Sequence, residues 1–243
     1  MAAATNETPR RIANRERLIF ALDVPDLEGA KELVERLGDS VVFYKIGLEL
    51  ATSRHYFELL DWLRSRDKKV FADLKLYDIP ATVTAAVRQL ARSGATFLTV
   101  HGDRGVAEAA AQAKGEQLKI LAVTVLTSVA PADLADMGIP LSVEELVLKR
   151  ARQAVAAGCD GVIASGLEAA PLRAVLPAGA LIVTPGIRPA DGARGDDQRR
   201  VVTPALAFRS GADHIVVGRP IRDAADPYRA ASAIQDEIAG VFG

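Results

Sequence analysis

The sequence predicts a single-domain (β/α)8 barrel, on the basis of its length and of eight apolar runs that alternate with helical patterns. Its 243 residues match the size of about 250 that this fold typically needs. The runs are continuous rather than alternating, which is typical of parallel strands buried on both faces. The predicted strands span residues 18–23, 41–47, 69–75, 97–102, 119–126, 161–166, 181–187 and 214–221.

A segment with helical periodicity follows each of these runs. In the first, Leu27, Leu33 and Val34 fall on one face, and Gly38 follows as a stop signal. The predicted helices span residues 27–37, 55–66, 80–93, 104–114, 142–157, 168–176, 203–210 and 227–241. Eight repeats favour a closed barrel over an open sheet, and no GxGxxG follows the first strand. We assign residues 17–243 to the barrel and residues 1–16 to a flexible tail.

Composition narrows the class of protein. The net charge of -1 provides no global field that would attract nucleic acid or a membrane surface, so anion recognition has to be local. No apolar run reaches the roughly 20 residues of a membrane helix, and the first residues lack the apolar stretch of a secretory signal. The single cysteine, Cys159, forms no internal disulfide and suits a reducing cytoplasm.

Charged residues stand where the predicted strands end. Such barrels carry their active site at the carboxyl ends of the strands. Asp23 ends the first strand, Lys45 lies near the end of the second, and Asp73 and Lys75 lie on the third. Period-two alternation places Asp73 and Lys75 on the same side, toward the barrel interior. A single such charge is ordinary at a solvated rim, but four on neighbouring strands indicate a functional cluster, because buried charges are costly unless paired.

A second pattern indicates a phosphate site. The seventh run leads into TPGIRPADGARGDDQRR, which contains Gly186 and Arg188, and the eighth ends in Gly218 and Arg219. Glycine allows close backbone approach to an anion, and arginine offers a bidentate fork for phosphate oxygens. Phosphate is often held after strands 7 and 8 of such barrels. The long polar segment after strand 7 also suits a lid.

The fourth strand ends at His101, which has two interpretations: a catalytic acid at the mouth, or a supporting residue within the charge cluster. We favour the supporting role. No pair of His or Cys stands at metal-ligand spacing, and Lys75 would compete with a metal for the carboxylates, so no metal is expected.

These motifs resemble those of the orotidine 5'-phosphate decarboxylases of bacterial type. The segment FADLKLYDIPATV (71–83) is similar to that family's signature, an Asp-x-Lys-x-x-Asp followed by Ile-Pro-x-Thr. The resemblance continues through LIFALD, FYKIGLEL, VTVLTS, TPGIRP, GDDQRR and VVGRPI in family order, over residues 18 to about 230. It implies cofactor-free conversion of orotidine 5'-phosphate to UMP in pyrimidine biosynthesis.

The resemblance also implies roles for the charge cluster. Asp23 and Lys45 would contact the ribose hydroxyls, and Lys45 would also join the charge network. Asp73 would lie near the carboxylate that is lost, and Lys75 would donate the proton to C6. Asp78 would complete the network from the other subunit of a homodimer, so that the active sites are shared.

Other residues would bind the remainder of the nucleotide. Ile79 and Thr82 of the other subunit would line the pyrimidine and ribose region. Thr127 would bind the pyrimidine edge; its neighbour Ser128 is the alternative, and the spacing from Thr124 favours Thr127. Four residues would hold the phosphate: Arg188, Gln198, Gly218 and Arg219. Of these, Gln198 would lie on the closing loop.

Two alternatives remain at this stage. One is a sugar-phosphate decarboxylase on the same barrel, such as a 3-keto-gulonate-phosphate decarboxylase, which shares the Asp-x-Lys-x-x-Asp motif and stabilises an enediolate with Mg²⁺. The Ile-Pro-x-Thr continuation and VTVLTS argue against it. The other is an inactive barrel that only binds a nucleotide or a partner, and the intact charge cluster argues against that.

Overall fold

Eight parallel strands close into a barrel in a computed structural model that describes residues 12–188 and 202–243. Each strand pairs with its neighbour in sequence, and the last pairs with the first. The strands are β1 Leu18–Ala21, β2 Phe43–Ile46, β3 Lys69–Leu76, β4 Phe97–His101, β5 Lys119–Val123, β6 Gly161–Ile163, β7 Leu181–Thr184 and β8 His214–Val217. The predicted (β/α)8 fold is confirmed.

The helices lie between these strands in sequence, and two more follow the last strand. In the described residues they are α1 Leu27–Leu37, α2 Leu48–Ala51, α3 Tyr56–Arg64, α4 Pro80–Arg92, α5 Arg104–Ala113, α6 Pro131–Asp136, α7 Val143–Ala156, α8 Ala169–Val175, α9 Pro204–Arg209, α10 Arg219–Arg222 and α11 Pro227–Phe242. None of them is both long and apolar enough to cross a bilayer.

Three short helices were not predicted: α2, α6 and α10. Residues 219–221 were assigned to the eighth strand, and that assignment is wrong, because β8 ends at Val217 and α10 begins at Arg219. Pro220 explains the difference. Proline cannot donate to a strand ladder, whereas its fixed φ suits the first turn of a helix.

The core has two layers. Inside the barrel, a cluster that includes Phe43, Phe71 and Phe97 fills the space between the strands. The ring centroids of Phe43 and Phe97 are 4.9 Å apart and those of Phe71 and Phe97 are 5.9 Å apart. A larger layer packs the outward faces of the strands against the helices, with Leu33, Leu59 and Leu90 among its members. The packed interior closes the lower part of the barrel and leaves its carboxyl end open for a site.

The boundary of the predicted tail changes. Residues 1–11 lie outside the described residues, but Ile12 packs against the inner core and residues Asn14–Glu16 form a 3-10 helix. The carboxylate of Glu16 lies 2.7 Å from Lys69 Nζ, and its backbone oxygen lies 2.9 Å from Nδ1 of His214. Residues 12–16 therefore belong to the floor of the barrel rather than to a tail that ends at residue 16.

Candidate active site

A cavity of about 550 Å³ opens at the carboxyl ends of the strands. Its volume falls within the range of about 300–1,000 Å³ typical of small-molecule sites. The lining residues come from every strand end except those of β4: they are Ala21, Asp23, Lys45, Phe71, Asp73, Lys75, Val123, Val125, Leu126, Thr127, Ile163, Ala164, Pro185, Gly186, Arg188, Val216, Gly218, Arg219 and Arg222. Most of the polar residues singled out in the sequence therefore meet in one place.

The predicted charge cluster forms part of the wall of this cavity. Lys45 Nζ lies 3.0 Å from Asp23 Oδ1 and 3.5 Å from Asp73 Oδ2. Lys75 Nζ lies 2.9 Å from the same Oδ2 atom of Asp73. The four residues thus form a chain in which carboxylates and ammonium groups alternate. Both carboxylates already contact a lysine, so a cation that bound between them would have to displace Lys45.

Burial and charge act in opposite directions on this cluster. Burial alone would raise the pKa of Asp73, but the ammonium groups of Lys45 and Lys75 and a hydrogen bond from Thr99 lower it overall. Burial alone would lower the pKa of Lys45, but the carboxylates of Asp73 and Asp23 raise it overall. Asp73 is therefore ionised and Lys45 charged at neutral pH, which is the state in which opposite neighbours stabilise each other.

The backbone of β3 is irregular where it carries Lys75. Ala72 is opposite Leu98 and Leu76 is opposite Val100, so the three residues between them on β3 face only one on β4. Lys75 has φ +48°, a conformation that is uncommon for a residue with a side chain. Alternation along the strand correctly predicted that Asp73 and Lys75 share a side, but it gave no indication of this bulge.

Thr99 is a residue of the site that no motif in the sequence indicates. It is fully buried on β4, donates a hydrogen bond of 2.8 Å to Asp73 Oδ1 and accepts one of 3.0 Å from the backbone N–H of Lys75. A threonine inside an apolar strand is ordinary, because β-branched residues favour strands. In the sequence, Thr99 is marked only by its position two residues before His101, which places both side chains on the same face of the strand.

The predicted phosphate-binding residues also line the cavity. Gly186, Arg188, Gly218 and Arg219 are all present in its wall. A Cβ at Gly218 would lie 3.3 Å from Ala21 Cβ, so only glycine fits this approach of β8 to β1 without displacing the neighbour. Gln198 lies within residues 189–201, outside the described residues, and its role stays a prediction.

Arg222 is a second residue that was not predicted. Its Nη1 donates a hydrogen bond of 3.0 Å to the backbone oxygen of Asp23, and its Nε lies 2.6 Å from Asp223 Oδ1. It therefore connects α10 to the end of β1. No local pattern indicates this contact, because its partner lies 199 residues away in sequence.

The cavity wall is electropositive overall. Five of the described lining residues are cationic and two are carboxylates, although the whole chain has a net charge of -1. The cations are Lys45, Lys75, Arg188, Arg219 and Arg222. A local excess of this sign favours a ligand with several negative charges.

Thr127 lines the cavity, whereas Ser128 does not. Thr124, from which the spacing was counted, is buried and donates a hydrogen bond of 2.9 Å to the backbone oxygen of Ile163. Thr124 is therefore engaged in joining β5 to β6, and Thr127 is the better placed of the two candidates for contact with a ligand.

Three predicted residues lie outside this cavity in the single chain: Asp78, Ile79 and Thr82. All three are exposed, and Ile79 retains 67% of its accessible surface. Asp78 Oδ1 accepts a hydrogen bond of 2.6 Å from the backbone N–H of Ile79 at the start of α4. Within one protomer they do not meet the charge cluster.

His101 contacts the ring of Tyr77, with 4.9 Å between the ring centroids. Its pKa is lowered, first by burial and further by Arg150 and Lys75, although Asp103 opposes the shift. Because a lowered pKa favours the neutral imidazole at pH 7, His101 packs beside the cluster without adding a charge to it.

No group of three or more His, Cys, Asp or Glu residues that could hold a metal ion occurs in the described ranges, 12–188 and 202–243. Cys159 is buried, and burial raises the pKa of its thiol to about 12. It is therefore a packing residue rather than a ligand or nucleophile.

The sequence and the fold of this chain are similar to those of known proteins. The sequence model described as "Orotidine 5'-phosphate decarboxylase / HUMPS family" matches residues 16–234. The chain belongs to this family. The match covers all strands and helices up to the last helix, so membership applies to the barrel as a whole and makes the chain an enzyme of the carboxy-lyase class.

Individual relatives in the family are similar over almost their full length. The chain is 58% identical to an orotidine 5'-phosphate decarboxylase of Methylococcus capsulatus over 93% of each chain. It is 55% identical to one of Stenotrophomonas maltophilia over 98% of each chain. Among solved structures, the orotidine 5'-phosphate decarboxylase of Lactobacillus acidophilus has a TM-score of 0.81 and 36% identity, and covers 92% of this chain and 99% of its own.

Proposed function

We propose that this enzyme decarboxylates orotidine 5'-phosphate to UMP in pyrimidine biosynthesis, with Lys75 as the proton donor. The observation that carries the proposal is the contact of 2.9 Å between Lys75 Nζ and Asp73 Oδ2 inside a cavity that also contains Arg188 and Arg219. The family description joins the names orotidine 5'-phosphate decarboxylase and HUMPS. The relatives at 54–58% identity are named orotidine 5'-phosphate decarboxylase.

The charge of the substrate agrees with the charge of the cavity. Orotidine 5'-phosphate carries a phosphate and a carboxylate, and the described wall has five cations against two carboxylates. The phosphate would lie between Arg188, Gly218 and Arg219, with Gln198 closing over it. The pyrimidine carboxylate would then point toward Lys75. Phosphate contacts remote from the reacting carbon supply binding energy that orients the ring.

The chemical step needs charge stabilisation and a proton. When the bond between C6 and the carboxylate breaks, CO2 leaves and the electron pair stays on C6 in the ring plane, where no adjacent π system delocalises it. A preorganised ammonium group stabilises such a charge as it develops. Lys75 is that group in our proposal. It then transfers its proton to C6, forms a neutral amine and is reprotonated from water.

Asp73 holds the ammonium group of Lys75 in place, and Lys45 pairs with the same carboxylate oxygen. The substrate carboxylate would also face Asp73, and departure of CO2 would remove that repulsion. Asp23 and Lys45 would hold the ribose hydroxyls, and Thr127 would bind the pyrimidine edge.

The proposal includes a homodimer that shares its active sites. Asp78, Ile79 and Thr82 lie outside their own cavity, and we propose that they enter that of a second copy. An apolar groove between α3 and α4 supports this, because Phe57 in its wall retains 54% of its accessible surface and the neighbouring Tyr77 retains 65%. Large exposed apolar patches mark protein interfaces.

The proposed reaction needs no metal or other cofactor. The proposed location is the cytoplasm, in keeping with a single cysteine.

The test is to incubate the purified protein with orotidine 5'-phosphate and EDTA, and to follow the loss of substrate absorbance. Turnover that survives EDTA supports the proposal. Turnover that EDTA abolishes and Mg²⁺ restores would contradict the metal-free reaction, and an absence of turnover with and without EDTA would contradict the proposed activity.

A further inference from the structure

The bulge in β3 needs support that β3 itself does not provide. Lys75 has φ +48°, and residues with side chains are strained in this region unless the surroundings hold them there. The backbone N–H of Lys75 has left the regular ladder with β4, since the paired residues on either side are Ala72 and Leu76. That N–H therefore needs another acceptor.

Thr99 is this acceptor, and it is also a donor. Its Oγ1 accepts from the N–H of Lys75 at 3.0 Å and donates to Asp73 Oδ1 at 2.8 Å. The side chain is fully buried, so water does not compete for either hydrogen bond. One hydroxyl thus fixes the backbone from which the Lys75 side chain extends and the carboxylate with which that side chain pairs.

The other oxygen of Asp73 faces the two lysines. Lys75 Nζ lies 2.9 Å and Lys45 Nζ 3.5 Å from Oδ2. With Oδ1 held by Thr99, the carboxylate cannot turn about its own axis without losing the hydrogen bond or the ion pairs. The orientation of Asp73, and through it the position of the Lys75 ammonium, is therefore determined from β4.

We infer that Thr99 is a positioning residue for decarboxylation, which holds the β3 bulge and the Asp73 carboxylate so that Lys75 is aligned with the reacting carbon. This inference rests on the proposed roles of Lys75 and Asp73. Thr99 does not line the cavity, so it acts through these two residues and not by contact with the substrate.

Three variants separate the hydroxyl from the shape of the side chain. Thr99→Val keeps the shape and removes the hydroxyl, and Thr99→Ser keeps the hydroxyl and removes a methyl group. Thr124→Val is the matched control, because Thr124 is equally buried and also uses its hydroxyl for one strand-to-strand hydrogen bond, to Ile163. It contacts neither Asp73 nor Lys75 through that bond.

The measurements are kcat and KM for orotidine 5'-phosphate, the Kd of UMP, and the pH dependence of kcat. We expect kcat of Thr99→Val to fall about 10- to 100-fold, the equivalent of losing one hydrogen bond to a charged group, with little change in the Kd of UMP. The acidic limb of the kcat profile should move to higher pH. The hydrogen bond from Thr99 lowers the pKa of Asp73, as do Lys45 and Lys75, so removal of the hydroxyl raises that pKa. Thr99→Ser and Thr124→Val should retain kcat and the original acidic limb.

The inference would be overturned if Thr99→Val and Thr99→Ser had the same kcat and the same acidic limb. This holds whether both variants keep the values of the unaltered protein or both lose activity to the same extent. If Thr99→Val does not fold, Thr99→Ala is compared with Thr99→Ser by the same criteria. Lys75→Ala is measured alongside. If Lys75→Ala is fully active, the proposed role of Lys75 is wrong and the inference for Thr99 fails with it; if the unaltered protein does not turn over, the proposed function is wrong; if Lys75→Ala is inactive while Thr99→Val is unimpaired, only the role of Thr99 is wrong.

Discussion

Lys75 Nζ lies 2.9 Å from Asp73 Oδ2, and the two residues stand two positions apart in the bulge of β3. A regular strand would place their side chains in parallel, some distance apart. The left-handed conformation of Lys75 instead brings the ammonium group onto the carboxylate. The pair is therefore formed by the fold before any substrate binds, which is the arrangement that electrostatic catalysis requires.

Mixed dimers test the proposed sharing of active sites. In a mixture of Lys75→Ala and Asp78→Ala protein, each heterodimer would contain one site with both residues intact. If dimers form at random, we expect about a quarter of the unaltered activity, since half of the dimers are mixed and half of their sites are intact. Decarboxylation is measured after the two inactive proteins have been unfolded and refolded together.

The control replaces the Asp78→Ala partner by the double variant Lys75→Ala/Asp78→Ala, in which no site can regain Lys75. Recovery in the first mixture alone supports the shared site. If neither mixture recovers while each protein refolds as a dimer, Asp78 does not act across the interface.

Removal of Arg219 should weaken binding through the phosphate alone. We expect Arg219→Gln to raise the Kd of UMP about 10- to 100-fold, because a hydrogen-bonded charge is lost, and to leave the much weaker binding of uridine unchanged. Titration calorimetry with both ligands gives the comparison. Arg209→Gln removes the same charge from an exposed position on α9 and should affect neither ligand. An equal loss for UMP and uridine would place Arg219 away from the phosphate.

His214 makes stability depend on pH. Its ring packs edge to face against both Phe43 and Phe97 at the floor of the barrel, and burial lowers its pKa to about 4. The unfolded chain has a histidine pKa near 6.5. Above that value the neutral ring costs nothing extra, and as pH falls from about 6.5 to 4 the unfolded state binds a proton that the folded state does not. We expect the free energy of unfolding to fall by about 3 kcal/mol over this window.

Urea unfolding at several pH values measures this slope. His214→Gln should flatten it, whereas His55→Gln should not, because His55 lies at the surface beside Glu58. His101, whose pKa is also lowered, contributes in the same direction and is left intact in both proteins. Parallel slopes in the unaltered protein and in His214→Gln would show that His214 does not carry the dependence.

The sequence predicted the features that follow from periodicity. Continuous apolar runs gave the eight strands, and the barrel then required that Asp23, Lys45, Asp73 and Lys75 meet at one end. This worked because strand ends in a closed parallel sheet share one rim. Strand lengths were less accurate near Pro220, where a helix begins instead.

Features that depend on contacts across strands could not be predicted. Nothing local distinguishes Thr99 from a threonine that merely favours a strand, and the conformation of Lys75 depends on the hydrogen bond that Thr99 provides. Arg222 was missed for a similar reason, since its partner is the backbone of Asp23, 199 residues away in sequence. The exposed position of Asp78 in one chain is likewise invisible without the fold.

The most direct measurement is decarboxylation of orotidine 5'-phosphate by the unaltered protein and by Lys75→Ala, with UMP binding measured on the same preparations. We predict that the unaltered protein releases CO2 and forms UMP, and that Lys75→Ala loses at least about a thousandfold in rate, as expected for a general acid, while it still binds UMP. Undiminished turnover by Lys75→Ala would contradict the proposed role of Lys75, and no turnover by a folded, UMP-binding unaltered protein would contradict the proposed reaction.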